Sequence, residues 1–260
     1  MKIARILFFA FIAIALVSCQ KPRYRIVGMS GTIVEINSSF DAYACPEMVA
    51  FVEYFRQQLE AEMSVVVGTT ARRMDRGRPE SLLTNFTSDI LKAFADEYVG
   101  NASFIAVMNV NGHRTALPEG VITVGHLYEV YAFDNTIVLL ELKGSDLMDI
   151  FGVYARDGGA GISANVRLVI GGGEVQNVTI DGQPVDPDRI YHIVTVNYLA
   201  DGNDGMDAFR NAVSMTDTGV VLRTHIIEHI KEKTQQGYKI DAELDGRIIV
   251  TAPNLVQPHR

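Results

Sequence analysis

A largely apolar run of seven residues, 190–196, is followed shortly by a cluster of turn-forming residues. Residues 190–196 read Ile-Tyr-His-Ile-Val-Thr-Val, and a Gly-Asn-Asp-Gly cluster occupies residues 202–205. A run rich in β-branched residues predicts a buried strand, while Gly, Asn and Asp tolerate the positive φ angles of a tight loop. We therefore expect Tyr198 and Asp204 to lie in the loop that follows a central strand, a common position for binding residues.

Composition limits the partners that such a chain can have. The 260 residues include 23 basic and 31 acidic side chains, which give a net charge of −8, and 48% of the residues are hydrophobic. The hydrophobic share is enough for a substantial core, and the negative charge argues against polymeric nucleic acid as a partner. A small anionic ligand needs only local basic residues. Residues 72–78 contain four arginines, which could bind such a ligand. The alternative is that these arginines form a solvated, charged part of the surface.

The beginning of the chain has the pattern of a bacterial lipoprotein. A basic start precedes apolar residues 6–17, which are too few to span a membrane as a mature helix. The pattern predicts a signal peptide over residues 1–18 and lipidation of Cys19, which would anchor the protein at a membrane, most simply the outer membrane on its periplasmic or cell-surface face. An ordinary signal peptide is the alternative. Cys45 is then the one remaining cysteine, and we expect a buried structural thiol there.

Hydrophobic periodicity predicts alternating helices and strands. The predicted helices cover residues 47–63, 80–98, 123–130 with Thr123 as cap, 145–154 with Ser145 as cap, and 220–233. The predicted strands cover residues 31–36, 64–68, 104–108, 136–142, 166–170, 174–180, 190–196 and 247–251. The glycine-rich residues 157–161 lack the Lys and Ser/Thr of a phosphate-binding loop, so we expect an ordinary flexible loop there.

Three segments resemble the motifs of one protein family, in the family's order. Residues 197–206, Asn-Tyr-Leu-Ala-Asp-Gly-Asn-Asp-Gly-Met, resemble N-(F/Y)-L-A-x-G-G-D-G-(F/Y). Residues 109–123 resemble N-x-G-G-I-R with its P-x-G-x-I-T continuation, and residues 132–147 resemble P-F-x-N followed by L-x-G-x-x-L. These are motifs of the 5'-nucleotidase C-terminal domain, whose family includes periplasmic UDP-sugar hydrolases and ecto-5'-nucleotidase.

The resemblance implies an α+β fold, layered α/β/β/α with mixed sheets. It places the domain at residues 41–252, after a tether and first strand at 19–40 and before a tail at 253–260. A nucleobase would stack between the rings of Phe133 and Tyr198; the alternative is that both rings pack in the core. The polar residues that the resemblance assigns to the ligand are Asn109 on the base edge, Asp204 on the ribose hydroxyls, and Arg114 with either Arg76 or Arg78 on the ribose or a phosphate.

Another pattern points to a different chemistry. Residues 225–229, His-Ile-Ile-Glu-His, match H-x-x-E-H, in which two histidines one helical turn apart bind zinc together with a further carboxylate. Few acidic candidates follow His229. A zinc peptidase using His225, Glu228 and His229 is therefore the less favoured alternative to histidines on a helix surface.

The metal-binding motifs of a complete 5'-nucleotidase are not found among these 260 residues. The resemblance implies D-x-H, G-D, G-N-H-(E/D) and G-H-x-H segments for the metals that activate water. We therefore expect no cofactor on this chain, divalent metals on a separate metallophosphatase chain, and binding without cleavage by this chain alone. The expected function is the nucleotide-binding half of a split 5'-nucleotidase used in nucleotide scavenging. The alternative is a surface lipoprotein that captures nucleosides or nucleotides by itself.

Overall fold

The structure is a computed structural model that describes residues 25–100 and 103–251. The predicted signal peptide over residues 1–18, the lipidation site Cys19 and the tail at 253–260 lie outside the described residues. The chain divides into two units, residues 1–52 and residues 53–260. The described part of the first unit contains a 3-10 helix at Ser38–Tyr43 and the beginning of the first α-helix.

Helices and strands are interspersed along the rest of the described chain. The helices are α1 (Pro46–Met63), α2 (Leu82–Val99), α3 (Val124–Val130), α4 (Gly144–Asp157), α5 (Asn197–Ala200) and α6 (Leu222–Gln235). The strands are β1 (Val66–Thr70), β2 (Phe104–Met108), β3 (Gly120–Thr123), β4 (Thr136–Lys143), β5 (Gly161–Ile162), β6 (Val166–Gly171), β7 (Glu174–Ile180), β8 (Gln183–Pro184), β9 (Ile190–Val196), β10 (Ser214–Val221) and β11 (Ile248–Thr251).

The apolar run at residues 190–196 forms β9, the central strand of a five-stranded sheet with the order β10-β4-β9-β2-β5. Residues 193–196 are all buried, which is why this strand reads as a continuous apolar run. β9 pairs in parallel with β2 and antiparallel with β4. Parallel neighbours end at the same edge of a sheet, and an antiparallel neighbour begins there. The residues after β2, those after β9 and those before β4 therefore meet at one edge.

Helix α4 joins the two larger sheets. It contacts β4 and β9 of the five-stranded sheet and β6 and β7 of a four-stranded sheet with the order β11-β6-β7-β8. β11 pairs with β6 in parallel, so both sheets are mixed, and the predicted α+β class with mixed sheets is confirmed. Phe151 of α4 is fully buried, and its replacement by alanine would cost about 3–5 kcal/mol of stability.

Two helix caps were predicted, and one of them is wrong. The Thr123 hydroxyl accepts from the His126 amide at the start of α3, as predicted. Helix α4 instead begins at Gly144, and Ser145 caps nothing: its amide donates to the Pro187 carbonyl. A Cβ on Gly144 would lie 2.0 Å from the Asp186 carbonyl oxygen. The 186–189 backbone therefore approaches the helix start closely and supplies the acceptors that a capping side chain would otherwise supply.

The strand predicted at residues 31–36 is wrong, because no described segment pairs with these residues. β3, β5, β8 and β10 were not predicted. β10 is an edge strand whose first residues are exposed, so it lacks the apolar pattern of a buried strand. The helix predicted to begin at residue 220 begins at Leu222, since the two residues before it belong to β10.

Cys45 is exposed, so the prediction of a buried thiol is wrong. Its Sγ lies 3.1 Å from a carboxylate oxygen of Glu47, at the start of a helix in which no residue is buried. Within residues 25–100 and 103–251, none of the helices combines the length and apolar character needed to cross a bilayer.

Candidate functional site

Three connecting segments converge at the sheet edge where β2 and β9 end and β4 begins, and we call them loops although the third contains the short helix α5. They are residues 109–114, residues 131–135 and residues 197–205. Each carries one of the three motifs quoted above, so segments far apart in the sequence are brought together by strand order alone. The loops enclose a cavity of about 170 Å³, lined by Asn109, Asn111, Gly112, Arg114, Phe133, Asn135, Tyr198 and Asp204.

Two aromatic rings line this cavity without being buried. Phe133 is 52% exposed and Tyr198 is 41% exposed. Large rings left this accessible beside a cavity lose the burial free energy that a core position would give them. The alternative that the two rings pack in the core is therefore wrong.

The carboxylate of Asp204 is held by two neighbours in the cavity. The Asn109 side-chain amide donates to Oδ2 at 2.6 Å, and the Tyr198 hydroxyl donates to Oδ1 at 2.9 Å. The hydrogen bond to Asp204 raises the pKa of Tyr198, so the phenol stays protonated and keeps donating. The ends of β2 and β9 are thus joined through one carboxylate that still has acceptor sites free for a ligand.

The backbone of the 202–205 loop is left-handed at three of its four positions. Gly202, Asp204 and Gly205 have φ angles of 85°, 56° and 77°. Asn203, which occupies a glycine position of the family motif, has no positive φ. Its side-chain amide instead donates to the Tyr198 carbonyl at 2.7 Å. The left-handed backbone that Asn can tolerate is thus found at Asp204 and not at Asn203.

Arg114 and Phe133 are in contact across the cavity wall. The guanidinium carbon of Arg114 lies 5.8 Å from the centre of the Phe133 ring, within the range of a cation–π interaction. The Arg114 amide donates to the Val130 carbonyl at 2.9 Å, so the 109–114 loop is also joined to the end of α3. Arg114 is therefore placed beside both the ring and the open cavity.

The two remaining predicted arginines lie in different places. Arg78 lines an adjoining cavity of about 210 Å³ that shares Asn109, Asn111 and Asp204 with the first, and its guanidinium lies 3.3 Å from the Asp157 carboxylate. Arg76 lines neither cavity. Its Nη1 donates to the His113 carbonyl at 2.8 Å, so of the two alternatives Arg78 is the one beside the site.

Comparison with known proteins identifies the domain. A sequence model of the 5'-nucleotidase C-terminal domain matches residues 66–211. The chain belongs to the 5'-nucleotidase C-terminal-domain family. The resemblance found in the three motifs is thereby confirmed.

Relatives of this 5'-nucleotidase C-terminal domain are longer proteins. Protein UshA of Yersinia enterocolitica is 34% identical over 194 residues, which are 71% of this chain and 35% of that protein. The structure of a 5'-nucleotidase precursor from Thermus thermophilus matches with a TM-score of 0.66 and 27% identity, over 78% of this chain and 42% of that one. The NAD nucleotidase NadN of Haemophilus influenzae shares the fold, with a TM-score of 0.60 and 17% identity over 81% and 42% of the two chains. The chain spans roughly a third of the length of the UshA proteins that it matches.

Three residues that line the 5'-nucleotidase-type cavity were not predicted as site residues. They are Asn111, Gly112 and Asn135. Each lies inside a quoted motif, so its place in the motif was the available signal. Gly112 is required by close approach, because a Cβ there would lie 2.4 Å from the Asn109 side-chain oxygen. Glycine at this position thus leaves room for the Asn109 amide to reach Asp204.

Within residues 25–100 and 103–251, no group of three or more His, Cys, Asp or Glu side chains is placed to hold a metal ion. These residues therefore do not fit the metal pair of a complete 5'-nucleotidase. The histidines of the H-x-x-E-H pattern face aromatic rings: His225 is 4.8 Å from Phe94 and His229 is 6.5 Å from Phe86, measured between ring centres. This packing argues against the zinc-peptidase alternative.

The glycine-rich residues 157–161 form the end of α4 and the start of β5. Gly158 ends the helix in the left-handed conformation, with its amide donating to the Ala155 and Tyr154 carbonyls. A Cβ on Gly159 would lie 2.2 Å from the Pro79 carbonyl oxygen. The segment is therefore a closely packed helix end, and the flexible loop predicted there is wrong.

Proposed function

We propose that this domain binds a nucleoside or nucleotide in the cavity between Phe133 and Tyr198. The observation that carries the proposal is the pair of half-exposed rings on one cavity, beside an amide, a guanidinium and a fixed carboxylate. Aromatic faces stack on any nucleobase, at about 1–3 kcal/mol per base. The two adjoining cavities together reach the lower part of the ~300–1,000 Å³ range of small-molecule sites.

Each polar group has a proposed partner on the ligand. Asn109 has an acceptor oxygen left for the base edge, because its amide nitrogen is used on Asp204. Asp204 accepts from the ribose hydroxyls with its remaining lone pairs. Arg114 on one side and Arg78 on the other supply the positive charge for the phosphate, Arg78 exchanging its 3.3 Å contact with Asp157 for the ligand.

Hydrolysis in this proposal is shared between two chains. The described residues offer no metal site, so a separate metallophosphatase chain supplies the divalent metals and the activated water, and this domain presents the nucleotide. The pair works in nucleotide scavenging, held at the outer membrane through a lipidated Cys19. Two observations would test the anchor. The native protein should need detergent to remain in solution after purification, and the Cys19→Ser variant should be released from the membrane.

Isothermal titration with AMP tests the binding site. Phe133→Ala and Tyr198→Ala should each weaken AMP binding by about 10-fold or more, since each removes one stacking face. Tyr238→Ala is the matched control, because Tyr238 is an exposed tyrosine outside the three loops. If wild type, Phe133→Ala and Tyr198→Ala bind AMP with equal affinity, the proposed binding site is wrong.

A second candidate is a stand-alone capture protein. Such a protein would need only the residues that line this cavity and no second chain. Phosphate release from AMP with Mn²⁺ should be absent with this chain alone and appear when a metallophosphatase chain from a neighbouring gene is added. AMP binding that is tight and unaffected by every such partner supports capture. Strong phosphate release by the chain alone contradicts the division of labour.

A further inference from the structure

The loop that carries Phe133 has no regular secondary structure of its own. Residues 131–135 connect α3 to β4 and belong to no helix or strand. The Phe133 ring is half exposed, so packing of the ring itself fixes its position only weakly. Apart from its contact with Arg114, the direction in which the ring points is therefore set by the backbone of the loop.

A single buried guanidinium contacts that backbone from beneath. Arg223, the second residue of α6, is only 7% exposed. The groups that its guanidinium contacts are the carbonyl oxygens of Tyr131 (2.7 Å) and Phe133 (3.5 Å) and the carboxylate of Asp134. The neighbouring Leu222 amide donates to the Asn135 carbonyl at 2.9 Å. The start of α6 thus contacts four of the five loop residues.

The chemistry of arginine suits this position. A guanidinium offers five N–H donors in a rigid plane and can serve several acceptors at once, which a lysine ammonium on a flexible stem cannot do in the same geometry. The Arg223 guanidinium also lies 3.9 Å from the centre of the Tyr128 ring, a cation–π contact that fixes its plane. A buried cation is costly unless its hydrogen bonds are satisfied, and here the loop carbonyls and Asp134 satisfy them.

We propose that Arg223 is a positioning residue that fixes the 131–135 loop and thereby the stacking face of Phe133. The inference rests on the proposed function for its meaning, since Arg223 does not itself line the cavity. It acts through Phe133, so its loss should affect the recognition of the base and leave the contacts to the sugar and phosphate unchanged.

Arg223→Lys keeps the charge and removes the planar set of donors. Binding of AMP should weaken by about 10-fold, the scale of one base stack, while binding of ribose 5-phosphate, which has no base, should stay at the wild-type value. In a Phe133→Ala background the same Arg223→Lys change should have no further effect on AMP, because the residue through which it acts is gone. A loss that is equal for both ligands, or that persists in the Phe133→Ala background, overturns the inference.

Hydrogen exchange gives a readout that does not need a ligand. Amides of residues 131–135 should exchange faster in Arg223→Lys than in wild type, while those of β9 should be unchanged. If the wild-type protein binds no AMP, the proposed function is refuted. The comparison of hydrogen exchange between wild type and Arg223→Lys still decides whether Arg223 fixes the loop. Should Arg223→Lys fail to fold, Asp134→Asn decides in its place, because the Asp134 side chain is 77% exposed and the change removes the carboxylate that helps to hold the Arg223 guanidinium against the loop. Loop exchange should then rise, by less than in Arg223→Lys. Unchanged loop exchange in the folded variant overturns the inference.

Discussion

The two walls of the cavity are held in place by different means. The Phe133 wall depends on buried groups beneath it, since Arg223 holds the loop backbone and the buried Thr87 hydroxyl lies 2.7 Å from the Tyr131 hydroxyl. The Tyr198 wall depends on surface groups: its own hydroxyl reaches Asp204, and the Asn203 side chain reaches its carbonyl. One wall is therefore held by contacts to buried groups, and the other is set by hydrogen bonds that water can compete for.

This difference predicts different sensitivities. Breaking a buried network costs global stability, because donors and acceptors are left without partners in a low-dielectric interior. Breaking an exposed hydrogen bond costs little stability and acts on the geometry of the site. Changes under the Phe133 wall should therefore alter folding together with binding, whereas changes at the Tyr198 wall should alter binding alone.

The largest expected effect is a loss of folding stability at acidic pH, through a buried histidine beneath the Phe133 wall. His113 is fully buried, and its Nε2 lies 2.8 Å from the Thr87 hydroxyl that also contacts Tyr131. Burial lowers the pKa of His113 to about 4, whereas an unfolded histidine has a pKa near 6.5. The folded state thus keeps the imidazole neutral, whereas the unfolded state takes up a proton below about pH 6.5. The free energy of unfolding is therefore unaffected by this group above about pH 6.5 and falls by up to about 3 kcal/mol as the pH drops toward 4.

Urea unfolding between pH 7 and pH 4.5 measures this loss. The matched variant is His113→Gln, which removes the titrating group, so the difference in unfolding free energy between wild type and variant should shrink as the pH falls. A difference that is the same at every pH contradicts the prediction. The NMR shift of the His113 ring proton, which should still report a neutral imidazole at pH 5, gives the answer even if the variant is poorly folded.

The next effect concerns the carboxylate that joins the two strand ends. Asp204→Asn keeps a residue that tolerates the left-handed backbone at this position and removes the charge that accepts from Asn109 and Tyr198. Hydrogen bonds to a charged acceptor contribute about 1.5–3 kcal/mol, so adenosine should bind about 10- to 100-fold more weakly, with little change in melting temperature. Asp207→Asn is the control, since Asp207 is a nearby, largely exposed carboxylate.

A dideoxy ligand separates the two roles of Asp204. If the carboxylate accepts from the ribose hydroxyls, the loss in Asp204→Asn should be smaller for 2',3'-dideoxyadenosine than for adenosine. An equal loss for both ligands would mean that Asp204 acts only by holding Tyr198 and Asn109. A clear fall in melting temperature would contradict the view that this wall is independent of the core.

Much of the site could be predicted because its parts are encoded locally. The buried strands β2, β4 and β9 show in the sequence as apolar runs, and the residues that follow or precede them carry the motifs. Strand order then brings Asn109, Phe133 and Tyr198 to one edge. The family resemblance assigned chemistry to these residues, which periodicity cannot do.

The remaining features arise from tertiary contacts that no local pattern records. Arg223 reads as one more polar residue on an amphipathic helix, and only the fold places it under the 131–135 loop. The bond between Asn109 and Asp204 joins residues 95 positions apart. Edge strand β10 lacks a buried face and so resembles a loop in sequence. In these cases tertiary packing determines the local structure and contacts, which residue propensity alone does not specify.

The smallest expected effect isolates the Tyr198 hydroxyl. Tyr198→Phe keeps the stacking face and removes only the donor to Asp204, whose other bond, from Asn109, remains. Water can replace the lost donor at this exposed carboxylate, so the net contribution of this single bond is that of an ordinary hydrogen bond, about 0.5–1.5 kcal/mol. AMP should therefore bind about 2- to 12-fold more weakly with stability unchanged. Phe133→Tyr is the reciprocal change on the other wall, and it should leave affinity within about 2-fold, because that wall is held through its backbone and gains nothing from a hydroxyl. If Tyr198→Phe binds AMP as well as wild type does, the hydroxyl does not hold this wall, and its position must come from the 197–205 backbone, as that of Phe133 comes from its own loop.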